Sequence, residues 1–255
     1  MKEITSISNP LIKNVRALKD KQERLSQGLF VVEGANIIKD LPSYVDVDSI
    51  FVEKSKVSQF QGILNKFNEE KIYLVDEKVM NVLSDTKTPC GILCLVKIQK
   101  QEFDESSNAV VLDGNTDPGN VGTIIRTCVA CGVKNILAIN TVDILSPKVV
   151  RSTMGGLFRV NVLNVTYDEA LDILKNYNII TLDMKGENIY DMKEIKKPFA
   201  LVIGSEAHGV SKELKDKCST LISLPMKGDI ESLNAAVSLS VALYHLSFSK
   251  HWNKG

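Results

Sequence analysis

Residues 201–246 read LVIGSEAHGVSKELKDKCSTLISLPMKGDIESLNAAVSLSVALYHL, and the reading of this stretch decides the fold. The apolar run 199–203 stops at Gly204, as a buried parallel strand does where it meets a loop at its carboxyl edge. Gly204-Ser205-Glu206-Ala207-His208-Gly209 follows, a carboxylate between two glycines. Ser211 with Lys212, Glu213 and Leu214 suits an N-cap and a first helical turn. A second apolar strand, 221–224, breaks at Pro225-Met226-Lys227-Gly228. Ser232-Leu233-Asn234 then leads into 235–246, an almost uncharged run at helical period that reads as a buried helix. Two strand ends and a helix start that meet in this way predict one ligand site at the carboxyl edge of an α/β sheet.

Working outward, the same alternation runs back to residue 109. Val110-Val111-Leu112 is a strand that stops at Asp113-Gly114-Asn115; a glycine loop, a small-residue helix over 123–131 and a strand at 136–139 complete a βαβ unit. Pro147 marks the first turn of a short helix ending before Met154-Gly155-Gly156. Strand character returns over 158–165, an amphipathic helix over 167–176 and a strand at 179–182. The polar segment 99–108 has no apolar period and reads as a linker. Before it, strands at 30–32, 50–52, 72–75 and 92–96 alternate with helices at 35–41, 57–67 and 76–83. The expected organisation is a small α/β domain over 1–98, a linker over 99–108 and a parallel-sheet α/β domain over 109–255.

Composition narrows the function. The chain has 255 residues, 44% of them apolar, enough for one large or two modest domains. Lysine plus arginine and aspartate plus glutamate are 31 each, so no global field draws nucleic acid and any RNA contact must be local. The first 100 residues carry 15 basic side chains against 13 acidic ones, which places candidate phosphate contacts at Lys13, Arg16, Lys19 and Arg24, with Lys148, Arg151 and Arg159 beyond them. Five cysteines in apolar surroundings argue against a disulfide framework and for a reducing, cytoplasmic compartment; Cys128 and Cys131 have redox spacing but lie within a helix. No amino-terminal stretch has the charge-then-apolar pattern of a signal peptide, no uncharged run approaches membrane-spanning length, and His208, His245 and His251 lack compatible partners for a metal.

The glycine loop 114–122 is neither a dinucleotide fingerprint nor a Walker loop, since no GxGxxG opens the helix and no Gly-Lys-Ser/Thr follows. Asn120 and Arg126 stand six apart, nearly two turns, which would bring them near one face. Arg126 lies among Ile124, Ile125, Cys128 and Val129, where an unpaired guanidinium is costly. It is therefore either a structural ion pair or a clamp for a phosphate or substrate oxygen. Ser232 and Asn234 likewise serve as helix caps or as ligand contacts.

Three motifs carry a family resemblance: DPGNVGTIIRTCVACG at 117–132, IGSEAHGVS at 203–211 and ISLPMKGDIESLNAAVSLSVALY at 222–244. Together they resemble the SpoU/TrmH family of RNA ribose 2'-O-methyltransferases, of the SPOUT superfamily. STMGGLFRV at 152–160 matches the segment between the first two motifs, with Gly156 for the usual alanine; Ala235-Ala236 replaces a commoner Val-Ser pair. More loosely, NPLIKNVRALKD from Asn9 and FVVEG from Phe30 resemble the family's amino-terminal substrate-binding domain, of the ribosomal protein L30e type. The resemblance implies a carboxyl-terminal deep trefoil knot, a homodimer, and S-adenosyl-L-methionine held by the backbone around Ile203, Gly204, Ile222, Leu224, Met226, Leu233, Asn234 and Ala235. By motif position it makes Arg126, Asn120, Glu206, Ser232 and Asn234 the catalytic set, with no metal and no fixed role for His208. The implied reaction is methyl transfer to a ribose 2'-hydroxyl of structured RNA, ribosomal ahead of transfer RNA. The competing reading is a non-catalytic RNA-binding or ribosome-assembly protein on the same scaffold.

Overall fold

The computed structural model describes residues 1–192, 195, 198–230 and 232–248. The chain divides into two compact units, one of residues 1–100 with 145–158, the other of 101–144 with 159–255.

The first unit is built on β1 (Lys2–Ile4), β2 (Leu29–Glu33), β3 (Val47–Glu53), β4 (Ile72–Val75) and β5 (Ile92–Lys97) in the order β1-β4-β3-β5-β2. β1, β4 and β3 run parallel, and β5 is antiparallel to both its neighbours. Its helices are α1 (Pro10–Ala17), α2 (Lys21–Gln27), α3 (Ala35–Lys39), α4 (Val57–Leu64) and α5 (Glu77–Leu83). Ile12, Val15 and Leu18 meet Val79, Met80 and Leu83 over Val31, Phe51 and Leu93, one apolar layer between helices and sheet. The sequence shows four of these strands; β1 escapes it because only Ile4 of its three residues is buried and its place is fixed by pairing with β4.

The second unit is a six-stranded parallel sheet. In chain order it comprises β6 (Ala109–Asp113), α6 (Pro118–Ala130), β7 (Asn135–Ile139), then, after the excursion containing α7 (Pro147–Ser152), β8 (Asn161–Asn164), α8 (Tyr167–Ile173), β9 (Asn178–Asn188), β10 (Phe199–Gly204), α9 (Lys212–Lys215), β11 (Thr220–Ser223) and α10 (Ala235–Phe248). The order is β11-β9-β10-β6-β7-β8 with every pairing parallel. β6, β7 and β10 are buried at every residue, which explains their unbroken apolar runs. From β6 the chain steps outward through β7 to β8, and β10 returns on β6's other side. The crevice between the carboxyl ends of β6 and β10 is therefore a switch point, where open α/β sheets bind ligands.

Two boundaries differ from the sequence reading. The segment 145–158 belongs with the first unit: α7 packs on β2, Phe158 stacks on Phe30 at 6.2 Å, and the Tyr44 hydroxyl donates to the Phe158 carbonyl. The segment 99–108, read as a linker, is fastened from 104 onward. Asn135 Nδ2 donates to Asp104 O (2.8 Å), Lys134 Nζ meets Asp104 Oδ2 (3.0 Å), and the Tyr177 hydroxyl donates to Ser107 O (2.9 Å). Among the described residues no helix is long and apolar enough to cross a membrane.

Candidate active site

Three loops converge at the carboxyl ends of β6 and β10. The first runs from β6 into α6. Asp117 caps this helix by accepting from Asn120 N at 2.8 Å, and Pro118 opens it with a fixed φ and no wasted donor. The second runs from Gly204 to Ser211 and closes tightly on itself. Gly209 N donates to Ser205 O (2.9 Å), and a Cβ on Gly204 would lie 2.0 Å from the Gly209 carbonyl carbon, so only glycine fits there. The third ends at Asn234, whose Oδ1 accepts from Ala236 N (3.0 Å) and Val237 N (3.3 Å) and caps α10.

The side chains these loops present are joined. Asn120 Nδ2 donates to Glu206 Oε1 at 3.1 Å; Asn234 Nδ2 donates to the same oxygen at 2.9 Å and reaches Asn120 Oδ1 at 2.9 Å. One residue from each of three distant segments thus meets at an exposed carboxylate. Ser232 is exposed beside Leu233. Asn234 thus caps α10 with its amide oxygen and joins the cluster with its amide nitrogen.

Arg126 departs from expectation. It is exposed on α6 rather than enclosed in apolar side chains, and it does not join Asn120. Six residues at about 100° each leave two side chains about 120° apart around a helix, so nearly two turns does not mean one face. One candidate phosphate contact is also corrected, and a second is partly engaged by carboxylates. Arg24 is 3% exposed and donates to Leu18 O (2.6 Å) and Lys19 O (2.9 Å), joining the end of α1 to α2, while neighbouring Leu25 is 57% exposed. Arg151 is taken up by Glu33 (3.8 Å) and Asp85 (3.5 Å). Lys13, Arg16, Lys148 and Arg159 are exposed, and Lys19 is exposed with its ammonium on Ser84 O (3.0 Å).

For the cofactor set, Ile203, Ile222 and Ala235 are buried, Leu224 is half-buried, and Met226 and Leu233 are exposed. Leu221 and Ile230 add further exposed apolar surface, and Gly228 opens onto free space. Such apolar side chains beside strand-end backbone groups suit a ligand with an adenine ring and an amino-acid tail, and S-adenosyl-L-methionine fits that description. The sequence reading missed the far end of β9. There the register against β11 jumps between Leu221 and Ile222, and Ser223 Oγ donates to Gly186 O (2.9 Å), so 182–186 bulges at the same sheet edge. Gly186 signals this, because a Cβ there would meet Ile222 backbone at 2.5 Å. Cys128 is buried and its thiol pKa pushed up by burial, as is that of Cys131, so neither is primed as a thiolate. Among the described residues no cluster of His, Cys, Asp and Glu has metal-holding geometry; His251 lies outside them.

The description "SpoU rRNA Methylase family" matches residues 107–244, and "MRM3-like substrate binding domain" matches residues 9–94. The chain belongs to the SpoU rRNA methylase family. This SpoU methylase is 29% identical to the 23S rRNA (guanosine(2553)-2'-O)-methyltransferase RlmP of Bacillus subtilis (strain 168), with 96% of this chain and 99% of the relative covered. Among solved structures, an AdoMet-bound rRNA methyltransferase from Sinorhizobium meliloti shares 26% identity at TM-score 0.83, covering 95% of this chain and 96% of that one. An RNA 2'-O ribose methyltransferase shares 27% at TM-score 0.81, with the same coverage of both chains. The parallel-sheet unit has the fold of the knotted SPOUT methyltransferases, and membership makes the protein an S-adenosyl-L-methionine-dependent RNA 2'-O-methyltransferase.

Proposed function

We propose that this SpoU methylase modifies ribosomal RNA, acting as a homodimer in the cytoplasm. The observation that carries the reading is the Asn120–Glu206–Asn234 junction, which unites the three motif loops in one hydrogen-bonded cluster. A binding scaffold has no evident need for it. The 23S ribosomal RNA specificity in the name of its Bacillus subtilis relative, which aligns over almost all of both chains, supports ribosomal over transfer RNA.

S-adenosyl-L-methionine, when bound by the backbone around Gly204, Ile222 and Leu224 with Met226 and Leu233 as apolar walls, supplies an electrophilic methyl group. The chain's residues align the acceptor and handle charge. Glu206, fixed by two amides, holds the first and third loops in register. Arg126 is a permanent cation and a poor base; it suits clamping the phosphate beside the target ribose and stabilising charge that develops on the 2'-oxygen.

In this reading Arg126 serves the site of a second copy. α10 exposes Val237, Val241, Tyr244 and Phe248 at helical spacing, 38–57% exposed, an apolar stripe suited to a matching helix related by two-fold symmetry. On the first unit, Lys13 and Arg16 on α1 present charge for RNA phosphates.

Labelled-methyl transfer from S-adenosyl-L-methionine to purified ribosomal and transfer RNA tests the proposal. Incorporation into ribosomal RNA, mapped to one ribose absent from cells lacking the protein, is the expected result. Incorporation into transfer RNA alone overturns the substrate choice.

A further inference from the structure

Asp113 is the last residue of β6, buried to 3% exposure, and the chemistry described so far does not use it. No lysine, arginine or histidine pairs with it among the described residues. Among the described residues its carboxylate is met by two donors: the Tyr167 hydroxyl at 2.8 Å on Oδ1 and the Ser211 backbone N–H at 2.6 Å on Oδ2. A buried carboxylate held by neutral donors is costly to maintain, so its placement calls for a reason.

That reason lies in what Ser211 ends. The loop from Gly204 to Ser211 carries Glu206, and residues from the end of β6 hold both its ends. Asn115 Nδ2 donates to Gly204 O (3.1 Å) at the start, and Asp113 accepts from Ser211 N at the finish. Between these anchors the loop is cinched by Gly209 N on Ser205 O and His208 N on Ser205 Oγ (3.2 Å). Glu206 therefore projects from a short arch whose footings are both set from β6, the strand that also leads into Asn120. Tyr167, the first residue of α8, holds Asp113 from the other side; burial and then Asp113 itself raise the hydroxyl's pKa and keep it a donor.

We propose that Asp113 is a positioning residue for Glu206, fixing the far footing of its loop so that the carboxylate meets Asn120 and Asn234. This rests on the methyltransferase reading of the same cluster.

The test compares full-length wild type with Asp113→Asn, Glu206→Gln and the double variant. Asparagine at 113 keeps the shape but must turn a donor toward one of two donors. Expected is a fall in kcat of about 10- to 100-fold, the scale of one lost charge-assisted hydrogen bond, with the S-adenosyl-L-methionine Kd from calorimetry within about threefold. Because Asp113 acts through Glu206, the double variant should turn over within about twofold of Glu206→Gln alone. Tyr167→Phe removes one donor at no risk to the loop and should lower kcat by less than Asp113→Asn. Multiplicative losses in the double variant, or parallel losses of kcat and cofactor affinity, overturn the proposal. The coupling is read on whichever RNA the wild type methylates, so a wild type active on transfer RNA alone refutes the ribosomal substrate without touching Asp113.

Discussion

Asn234 performs two tasks with one amide, and the tasks separate by substitution. Its Oδ1 caps α10, while its Nδ2 donates to Glu206 and to Asn120. Asn234→Asp keeps an acceptor at the N-cap, where a negative charge also suits the helix dipole. The same change sets a carboxylate against Glu206 and removes both donations. Asn234→Asp should therefore hold its melting temperature within a few degrees of wild type while methyl transfer drops by about 10-fold or more. Asn234→Ala should lose about 1 kcal/mol of stability along with the transfer. Thermal melts beside methyl-transfer rates check the pair. An active, stable Asn234→Asp would show that Glu206 needs no amide partner from the third loop.

At the scale of elements, the strands were legible and several attachments were not. β6, β7 and β10 announce themselves because a strand covered on both faces must be apolar throughout. The loops bearing Asn120, Glu206 and Asn234 were legible because glycines and polar residues interrupt those runs. Asp113 was not, since it reads as the tail of a strand and its partners lie 54 and 98 positions away. Arg24 and Arg126 were misplaced by helical phase: α2 restarts at the Asp20 N-cap and turns Arg24 inward, while Arg126 turns away from Asn120. The segment 104–108 looked like a linker because side-chain hydrogen bonds, which have no period, hold it. That attachment is pH-sensitive. The Ser106 hydroxyl first, and then Lys134, lower the Asp104 pKa to about 2. A carboxylate depressed on folding contributes stability above its unfolded pKa and loses it as pH falls through the folded one. Wild type should therefore melt above Asp104→Asn at pH 5, with the gap closing between about pH 4 and pH 2. A gap unchanged over that range would mean that the charge on Asp104 does not hold the segment.

The whole molecule poses the question of which copy completes which site. Within one chain Asn120, Glu206 and Asn234 form a finished cluster, while Arg126 stands exposed and apart on α6, the helix on which α10 packs. The outer stripe of α10 is apolar, so covering it with a second copy bears on stability and on catalysis together. Mixing inactive subunits decides between the arrangements. If Arg126 serves its partner's Glu206, a heterodimer of Arg126→Ala and Glu206→Gln contains one intact site and one doubly damaged site. Random re-association then restores about a quarter of wild-type turnover, half the dimers being mixed with half their sites whole. If Arg126 serves its own chain, every site carries one lesion and mixing restores nothing. A Val241→Glu change, which buries a charge in the proposed contact, should leave monomers in sedimentation and remove transfer at once. Full activity from such monomers would place the whole reaction within one chain and leave the α10 stripe without a catalytic purpose.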